Sequence, residues 1–456
     1  MNLPLNGRIA IVDDQPSQIE PLMKVLSKRQ LPFTYFSGDY NFLPVVGENK
    51  NDIRVLFLDI NLIDNTERPN KELKSKLIPV LSSIISEENY PYVIIYWSRH
   101  ERHKSLVEEE IFGDELKNRK PIAYLSAMKS DFFNLDGNPT DEFDEKIDTL
   151  FENVNSLIGN HPAYSYLLNW ENQVHLAADN TLQEIFSSYH SFKDWTNNAN
   201  YLLEKLGNAY LGKHFSDNSP EDKIRASFIS FNSVFKDTLE SQIYNTQIPN
   251  PKDLEYDIAQ IDSKVSAINE KLNLSKDIGD ICQSGNVIVF EEHDDLFGKL
   301  LNRLISLFQL KNLLKIKDKE IEEVELKKLA DKEHKRIKKE IKNAWFKLAI
   351  VVTPICDFVQ KDNKIYDRIV KGVMIPAQYK EYVEDKSEAV YIIPISIKHK
   401  DNDYIIILDY RYFVTLDLKS ERVSGLFRVR QELLSEIQSK LARHINRQGI
   451  LFLDER

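Results

Sequence analysis

The stretch that decides the fold is IAIVDD, residues 9–14, in which four apolar residues lead directly into two aspartates. Further short apolar runs follow it along the chain: Phe33–Phe36, Val55–Leu58, Val93–Tyr96 and Ile122–Leu125. A continuous apolar run, rather than an alternating one, is typical of a strand covered on both faces. Apolar stripes at helical spacing lie between the runs, as at Ile19, Leu22, Met23 and Leu26. The pattern therefore predicts an α/β domain with a five-stranded parallel sheet over residues 1–160.

The character of the sequence changes twice after this region. His161-Pro162 ends the alternation, and residues 161–345 are predicted to form an all-α domain. Residues 346–456 contain several strand-like runs and a final amphipathic stretch, which predicts an α+β, barrel-like domain closed by a helix. A length of 456 residues is compatible with three domains of these sizes.

Composition narrows the functional classes. The net charge of −11 argues against an extended nucleic-acid footprint, so a nucleic-acid partner is not expected. No apolar run approaches the roughly 20 residues that span a bilayer, and the N-terminus has no signal-peptide pattern. We therefore expect a cytoplasmic protein without a membrane partner. Two cysteines, Cys282 and Cys356, are too few for a disulfide framework or a four-cysteine zinc site.

Polar residues stand at or just after the ends of four predicted strands: Asp13, Asp14, Asp59, Ser98 and Lys129. The carboxyl ends of parallel strands face one shared crevice, so these residues are expected to converge although they are far apart in sequence. Crowded carboxylates favour a divalent ion, and hard oxygen ligands indicate Mg²⁺. A metal, an ammonium and a hydroxyl can together stabilise a phosphoryl group that is transferred to a carboxylate. The constellation predicts phosphoryl chemistry on an aspartate.

These residues, in the contexts IVDDQ, FLDINL, YWS and AMK, resemble the receiver domain of two-component response regulators. The resemblance covers the first third of the chain and implies a CheY-like doubly wound fold. It implies that Asp59 is the phosphoacceptor, that Ser98 is the switch hydroxyl and that Lys129 contacts the phosphoryl group. It further implies that Asp13, Asp14 and Asp59, with the backbone carbonyl of Asn61, hold Mg²⁺.

The expected function is that of an atypical response regulator, phosphorylated by a sensor histidine kinase and acting as a phosphate sink or signalling adaptor. A second response regulator is a further candidate partner. The C-terminal region is weakly similar to uncharacterised bacterial proteins encoded beside anti-phage genes, which suggests a role in antiviral defence. No sequence feature identifies an independent enzyme.

Three alternatives stay open at this point. The C-terminal domain could be an enzyme gated by the receiver, with the Cys356-Asp357 pair as its reactive element. The basic residues Arg428, Arg430, Lys440, Arg443 and Arg447 could instead serve a DNA-binding regulator. A receiver that keeps the fold but no longer accepts phosphate is the third.

Overall fold

The structure is a computed structural model of the chain. It describes residues 8–47, 52–63, 68–89, 91–99, 103–134, 137–187, 194–211, 219–248, 251, 253–260, 265–291, 295–317, 321–354, 366–384, 387–399 and 402–446. The chain divides into two compact units. The first comprises residues 1–199 and 230–256, and the second comprises residues 200–229 and 257–456.

A five-stranded parallel sheet organises the first unit. Its strands are β1 (Ile9–Val12), β2 (Phe33–Phe36), β3 (Val55–Leu58), β4 (Val93–Ser98) and β5 (Ala123–Met128). The spatial order is β2-β1-β3-β4-β5, with β1 next to both β2 and β3. Strands β1, β3 and β4 are buried along their whole length, as their continuous apolar sequences predict. The predicted five-stranded parallel sheet is thus confirmed.

Helices cover both faces of this sheet. They are α1 (Pro16–Lys28), α2 (Asn70–Ile84), the short α3 (Lys129–Phe132), α4 (Phe143–Gly159) and α5 (Pro162–Phe186), together with a π-helical segment, Leu106–Glu115. The side chains of each strand alternate between two cores because successive residues point to opposite faces. In β1, Ile9 and Ile11 pack in one core and Ala10 and Val12 in the other.

Helix α5 packs against the amino-terminal end of the same sheet. Its Tyr164 and Leu168 belong to the first core, and the Tyr164 hydroxyl donates to the carbonyl oxygen of Arg54, 2.7 Å away. Arg54 donates to both carboxylate oxygens of Glu171, at 3.0 and 3.2 Å. Arg8 lies 3.3 Å from the same carboxylate. Residues beyond position 160 therefore complete the core and the ion pairs of the first unit.

Helices continue through the middle of the chain. They are α6 (Trp195–Leu211), α7 (Pro220–Asn245), α8 (Val265–Asn273), α9 (Asp295–Leu304), α10 (Leu307–Lys317) and α11 (Glu323–Ala344). No helix in the described part of the chain is long and apolar enough to cross a membrane.

A seven-stranded antiparallel sheet organises the second unit. Its strands are β6 (Leu274–Ser275), β7 (Asn286–Phe290), β8 (Phe346–Val351), β9 (Asp367–Pro376), β10 (Val390–His399), β11 (Asn402–Leu416) and β12 (Val423–Val429), in the order β10-β11-β9-β8-β7-β12-β6. The sheet curls into a half-barrel. A final helix, α12 (Gln431–Ile445), packs its Leu433, Leu434, Ile437 and Leu441 against it.

The second sheet is more extensive than the sequence pattern indicates. β7 and β6 belong to it although they precede residue 346 in the chain. The runs 404–408 and 413–418, expected as two strands, lie mainly in one long strand, β11, with an irregular register between Leu408 and Phe413. Strands β9 and β12 carry no continuous apolar run, because charged residues or glycine interrupt them.

Candidate functional site

The polar residues predicted to converge all lie at the carboxyl edge of the parallel sheet. Asp13 and Asp59 directly follow β1 and β3, Ser98 ends β4, and Lys129 directly follows β5. Backbone hydrogen bonds extend the strands through the two aspartates. The Asp13 amide donates to the carbonyl of Phe36 at 3.1 Å, and the Asp59 amide donates to that of Val12 at 2.8 Å. The sheet ladder therefore fixes both carboxylates at one edge.

Three carboxylates form a compact acidic group at this edge. One oxygen from each of Asp13, Asp14 and Asp59 lies within 4.8 Å of the others. Oxygens on opposite sides of one Mg²⁺ ion are separated by about 4.2 Å, twice the usual metal–oxygen distance. The three side chains therefore fit a single hard divalent cation after a small inward movement.

Lys129 links two of the carboxylates. Its ammonium nitrogen lies 2.6 Å from Oδ2 of Asp13 and 2.5 Å from Oδ2 of Asp59. The side chain is 1% exposed, so the charge is held away from water. Burial alone lowers the pKa of Lys129, but the Asp59 and Asp13 carboxylates outweigh it, and the pKa is raised. The lysine therefore stays protonated and offsets part of the acidic charge.

Asp13 is the most strongly perturbed member of the group. Burial raises its pKa to about 7, while Lys129 lowers it and Asp59 raises it further. The position of Asp13 is fixed by its neighbours, since the Gln15 amide donates to Oδ1 at 2.8 Å and the Tyr35 hydroxyl donates to its carbonyl oxygen at 2.8 Å. One ammonium against three carboxylates leaves an excess of negative charge in a buried place, which favours binding of a further cation.

Asn61 and Ser98 complete the site. The Asn61 amide donates to Oδ1 of Asp59 at 3.1 Å, and Oδ1 of Asn61 accepts from the Ile63 amide at 3.3 Å. These two turns hold the loop after β3 close to Asp59. Ser98 is 4% exposed, and its hydroxyl has no hydrogen-bond partner among the described residues. A buried hydroxyl without a partner is unfavourable, so the site fits an additional group with acceptor oxygens, such as a phosphoryl group.

An aromatic pair lies beside Ser98 on the two neighbouring strands. The rings of Tyr96 and Tyr124 stack with centroids 5.6 Å apart and an interplanar angle of 9°. The Tyr96 hydroxyl donates to Glu108 in the π-helical segment at 3.1 Å. π-Helical turns occur frequently at functional sites. The sequence pattern did not reveal this segment.

Sequence reasoning missed several contacts of the site. Strand ends predicted the convergence, but not that Lys129 would bridge Asp13 and Asp59, nor that Tyr35 would hold the Asp13 backbone. The spacing Asp59-x-Asn61 was the available signal for the turn at Asn61, because aspartate accepts from an amide two residues later. Cys356 and Asp357, on which the enzymatic alternative depends, lie outside the described residues.

Comparison with known proteins adds no family assignment. No protein-family model, no curated protein and no solved structure matches the chain. The functional argument therefore depends on the geometry of the site.

Proposed function

We propose that this protein is an atypical response regulator whose receiver accepts a phosphoryl group on Asp59. The observation that carries the proposal is the convergence of Asp13, Asp14 and Asp59 within 4.8 Å, with Lys129 paired to two of them. The strand order β2-β1-β3-β4-β5 is that of the doubly wound fold of receivers, but fold alone does not decide function. The side chains at the strand ends support the specific chemistry.

The proposed reaction joins one Asp59 carboxylate oxygen to phosphorus and breaks the bond between phosphorus and the leaving atom of the donor. The product is an acyl phosphate, and the donor leaves with the bonding electrons. Mg²⁺ bound by Asp13, Asp14, Asp59 and the Asn61 carbonyl would neutralise negative charge on the phosphoryl oxygens. Lys129 is placed to follow that charge from the carboxylate to the new phosphoryl group, and the Ser98 hydroxyl is placed to donate to it.

The expected phosphodonor is a sensor histidine kinase, and the expected output is a change in protein contacts. A phosphoryl group adds about 1.5 to 2 negative charges at neutral pH, which is enough to attract a hydroxyl and an ammonium. Movement of Ser98 would disturb the adjacent stack of Tyr96 on Tyr124. A phosphate sink or adaptor needs no further chemistry, and we retain that role, within antiviral defence, as the working proposal.

The deciding experiment is labelling of the purified full-length chain with acetyl phosphate and Mg²⁺, or with a histidine kinase and ATP. Wild-type protein should gain one base-labile acyl phosphate. Asp59→Asn keeps the side-chain volume but removes the nucleophile, so it should abolish labelling. Asp131→Asn is the matched control, because Asp131 is an exposed aspartate two residues after Lys129 and should not affect labelling. Lys129→Ala should keep the label and lose the conformational response.

Two results would overturn the proposal. One is labelling that survives Asp59→Asn, and the other is wild-type protein that no donor labels. Nuclease, hydrolase or operator-binding activity that appears on phosphorylation would replace the sink or adaptor role with one of the effector alternatives.

A further inference from the structure

A second polar cavity lies in the C-terminal unit, under the last turn of α12. Its volume is about 260 Å³. It is lined by Ser387, Glu388, Val390, Tyr391, Tyr410, Lys440, Arg443 and His444. All of these residues belong to the second unit. The inference below is therefore independent of the receiver chemistry.

The cavity forms where the aliphatic core of the half-barrel ends. Leu433, Leu434, Ile437 and Leu441 of α12 pack with Tyr391 and Tyr410 in one hydrophobic core. The two tyrosine rings stack with centroids 6.5 Å apart and an interplanar angle of 12°. One helical turn further on, the side chains that α12 presents change from leucine to lysine, arginine and histidine. Phenol rings thus close the core, and their polar ends face the cavity.

Two buried polar atoms at this cavity lack a hydrogen-bond partner within the described part of the chain. They are the hydroxyl of Tyr410, whose side chain is 2% exposed, and Nδ1 of His444. Buried polar atoms are almost always hydrogen-bonded, so such a pair indicates a missing group. Burial, with Tyr391 and Glu436 nearby, raises the pKa of Tyr410, which keeps its hydroxyl a donor.

Positive charge surrounds the same cavity. The Lys440 ammonium lies 4.7 Å above the ring of Tyr391, and 3.7 Å from the Glu436 carboxylate. Arg443 and His444 follow at three and four residues, on the same side of the helix. Glu388 and Glu436 are the acidic groups nearby. Cations at the last turn also stabilise a helix end, but that effect does not require a tyrosine hydroxyl left unsatisfied beneath them.

We propose that this cavity binds a small phosphate monoester, with its phosphate between Tyr410, Arg443 and His444. A phosphate offers three terminal oxygens to several donors at once, and the arginine fork suits two of them. The cavity is below the roughly 300–1,000 Å³ typical of drug-sized ligands, so the organic part is the size of a triose or an amino acid rather than a nucleotide.

The test is calorimetric titration of the full chain with glycerol phosphate and, separately, inorganic phosphate. EDTA is present and Asp59→Asn is the background, so that the receiver site does not contribute. Tyr410→Phe and Arg443→Gln should each weaken binding at least about tenfold, the usual effect of losing one hydrogen bond to a charged group. Tyr404→Phe and Lys419→Gln are matched controls, since neither residue lines the cavity, and both should bind like the background.

Tyr410→Phe keeps the stacked ring, and a thermal melt of the unliganded variant checks that it folds. No binding of either probe, or binding unchanged in both cavity variants, overturns the proposal. Equal binding of a carboxylate of matched size, such as glycerate, would overturn the assignment to phosphate. Loss of binding in the two controls would show that the effect is not specific to the cavity.

Discussion

The two sheets of this protein place their buried charges differently. In the parallel sheet, Lys129 lies at a strand end and lies 2.5–2.6 Å from two carboxylates. In the antiparallel sheet, Lys371 lies within β9 and its ammonium is 5.3 and 5.4 Å from the rings of Phe290 and Phe297. Both side chains are buried, at 1% and 8% exposure. One contacts the groups proposed to react, and the other is packed under aromatic rings.

The difference follows from topology. Parallel strands bring all their carboxyl ends to one edge, so polar residues after several strands become neighbours. Antiparallel strands alternate in direction, and their ends are divided between two edges. The second sheet accordingly holds its charges in local pairs, such as Asp409 with Arg411 two residues away, 2.7 Å apart. A reactive cluster can be predicted from strand ends in the first sheet, but not in the second.

The largest expected effect comes from removing each buried lysine. Lys129→Met leaves Asp13 and Asp59 buried without their shared cation, and should destabilise the first unit by about 3 kcal/mol or more. Lys371→Met keeps most of the apolar stem and loses a cation–aromatic contact, so the second unit should lose only about 1–2 kcal/mol. Hydrogen exchange measured by mass spectrometry on peptides from β4 and β9 reports the two units separately. Equal losses would contradict the comparison.

Mg²⁺ should act on one unit alone. At a concentration one hundred times its dissociation constant, a ligand stabilises the folded state by about 2.7 kcal/mol. We expect a protective effect of this size in β4 peptides and none in β9 peptides. Asp14→Asn removes one of the three carboxylates and should abolish most of it. Protection of both units, or protection that persists in Asp14→Asn, would show that Mg²⁺ does not bind at the acidic group.

The smallest expected effects concern two buried hydroxyls. Thr353, 2% exposed, accepts from the Arg368 amide at 2.8 Å in the second sheet, whereas the Ser98 hydroxyl has no partner among the described residues. Thr353→Val should cost about 1–2 kcal/mol because it leaves an amide unsatisfied. Ser98→Ala should change the free energy of unfolding by less than about 0.5 kcal/mol. Denaturation of the unphosphorylated variants decides this, and a large loss in Ser98→Ala would indicate a structural role.

Sequence predicted the first sheet better than the second for a physical reason. β1 and β3 are uninterrupted apolar runs, and their ends coincide with the predicted ones. β9 contains Asp367, Arg368, Lys371 and Gly372, so no periodic signal identifies it, although it is central in its sheet. A Cβ atom at position 372 would collide with the carbonyl oxygen of Ile407 on β11, so a side chain is excluded there. Packing with distant partners, rather than local pattern, determines that strand.

Similar limits applied at the site. The residue types and strand ends predicted which side chains meet, because the chain enters the crevice at each strand end. Which oxygen Lys129 contacts, and the support from Tyr35, depend on side-chain positions that only the folded unit defines.

The ion pairs of Arg8 and Arg54 with Glu171 attach α5 at the opposite edge of the sheet from Asp59. Five residue steps along β1 separate Arg8 from Asp13, about 17 Å at the usual rise per residue. Any influence of phosphorylation on α5 must therefore be a linkage free energy transmitted through the strands and their cores. Such linkage is reciprocal: a partner that binds preferentially when Glu171 is released would shift the affinity of Asp59 for its ligand by the same factor.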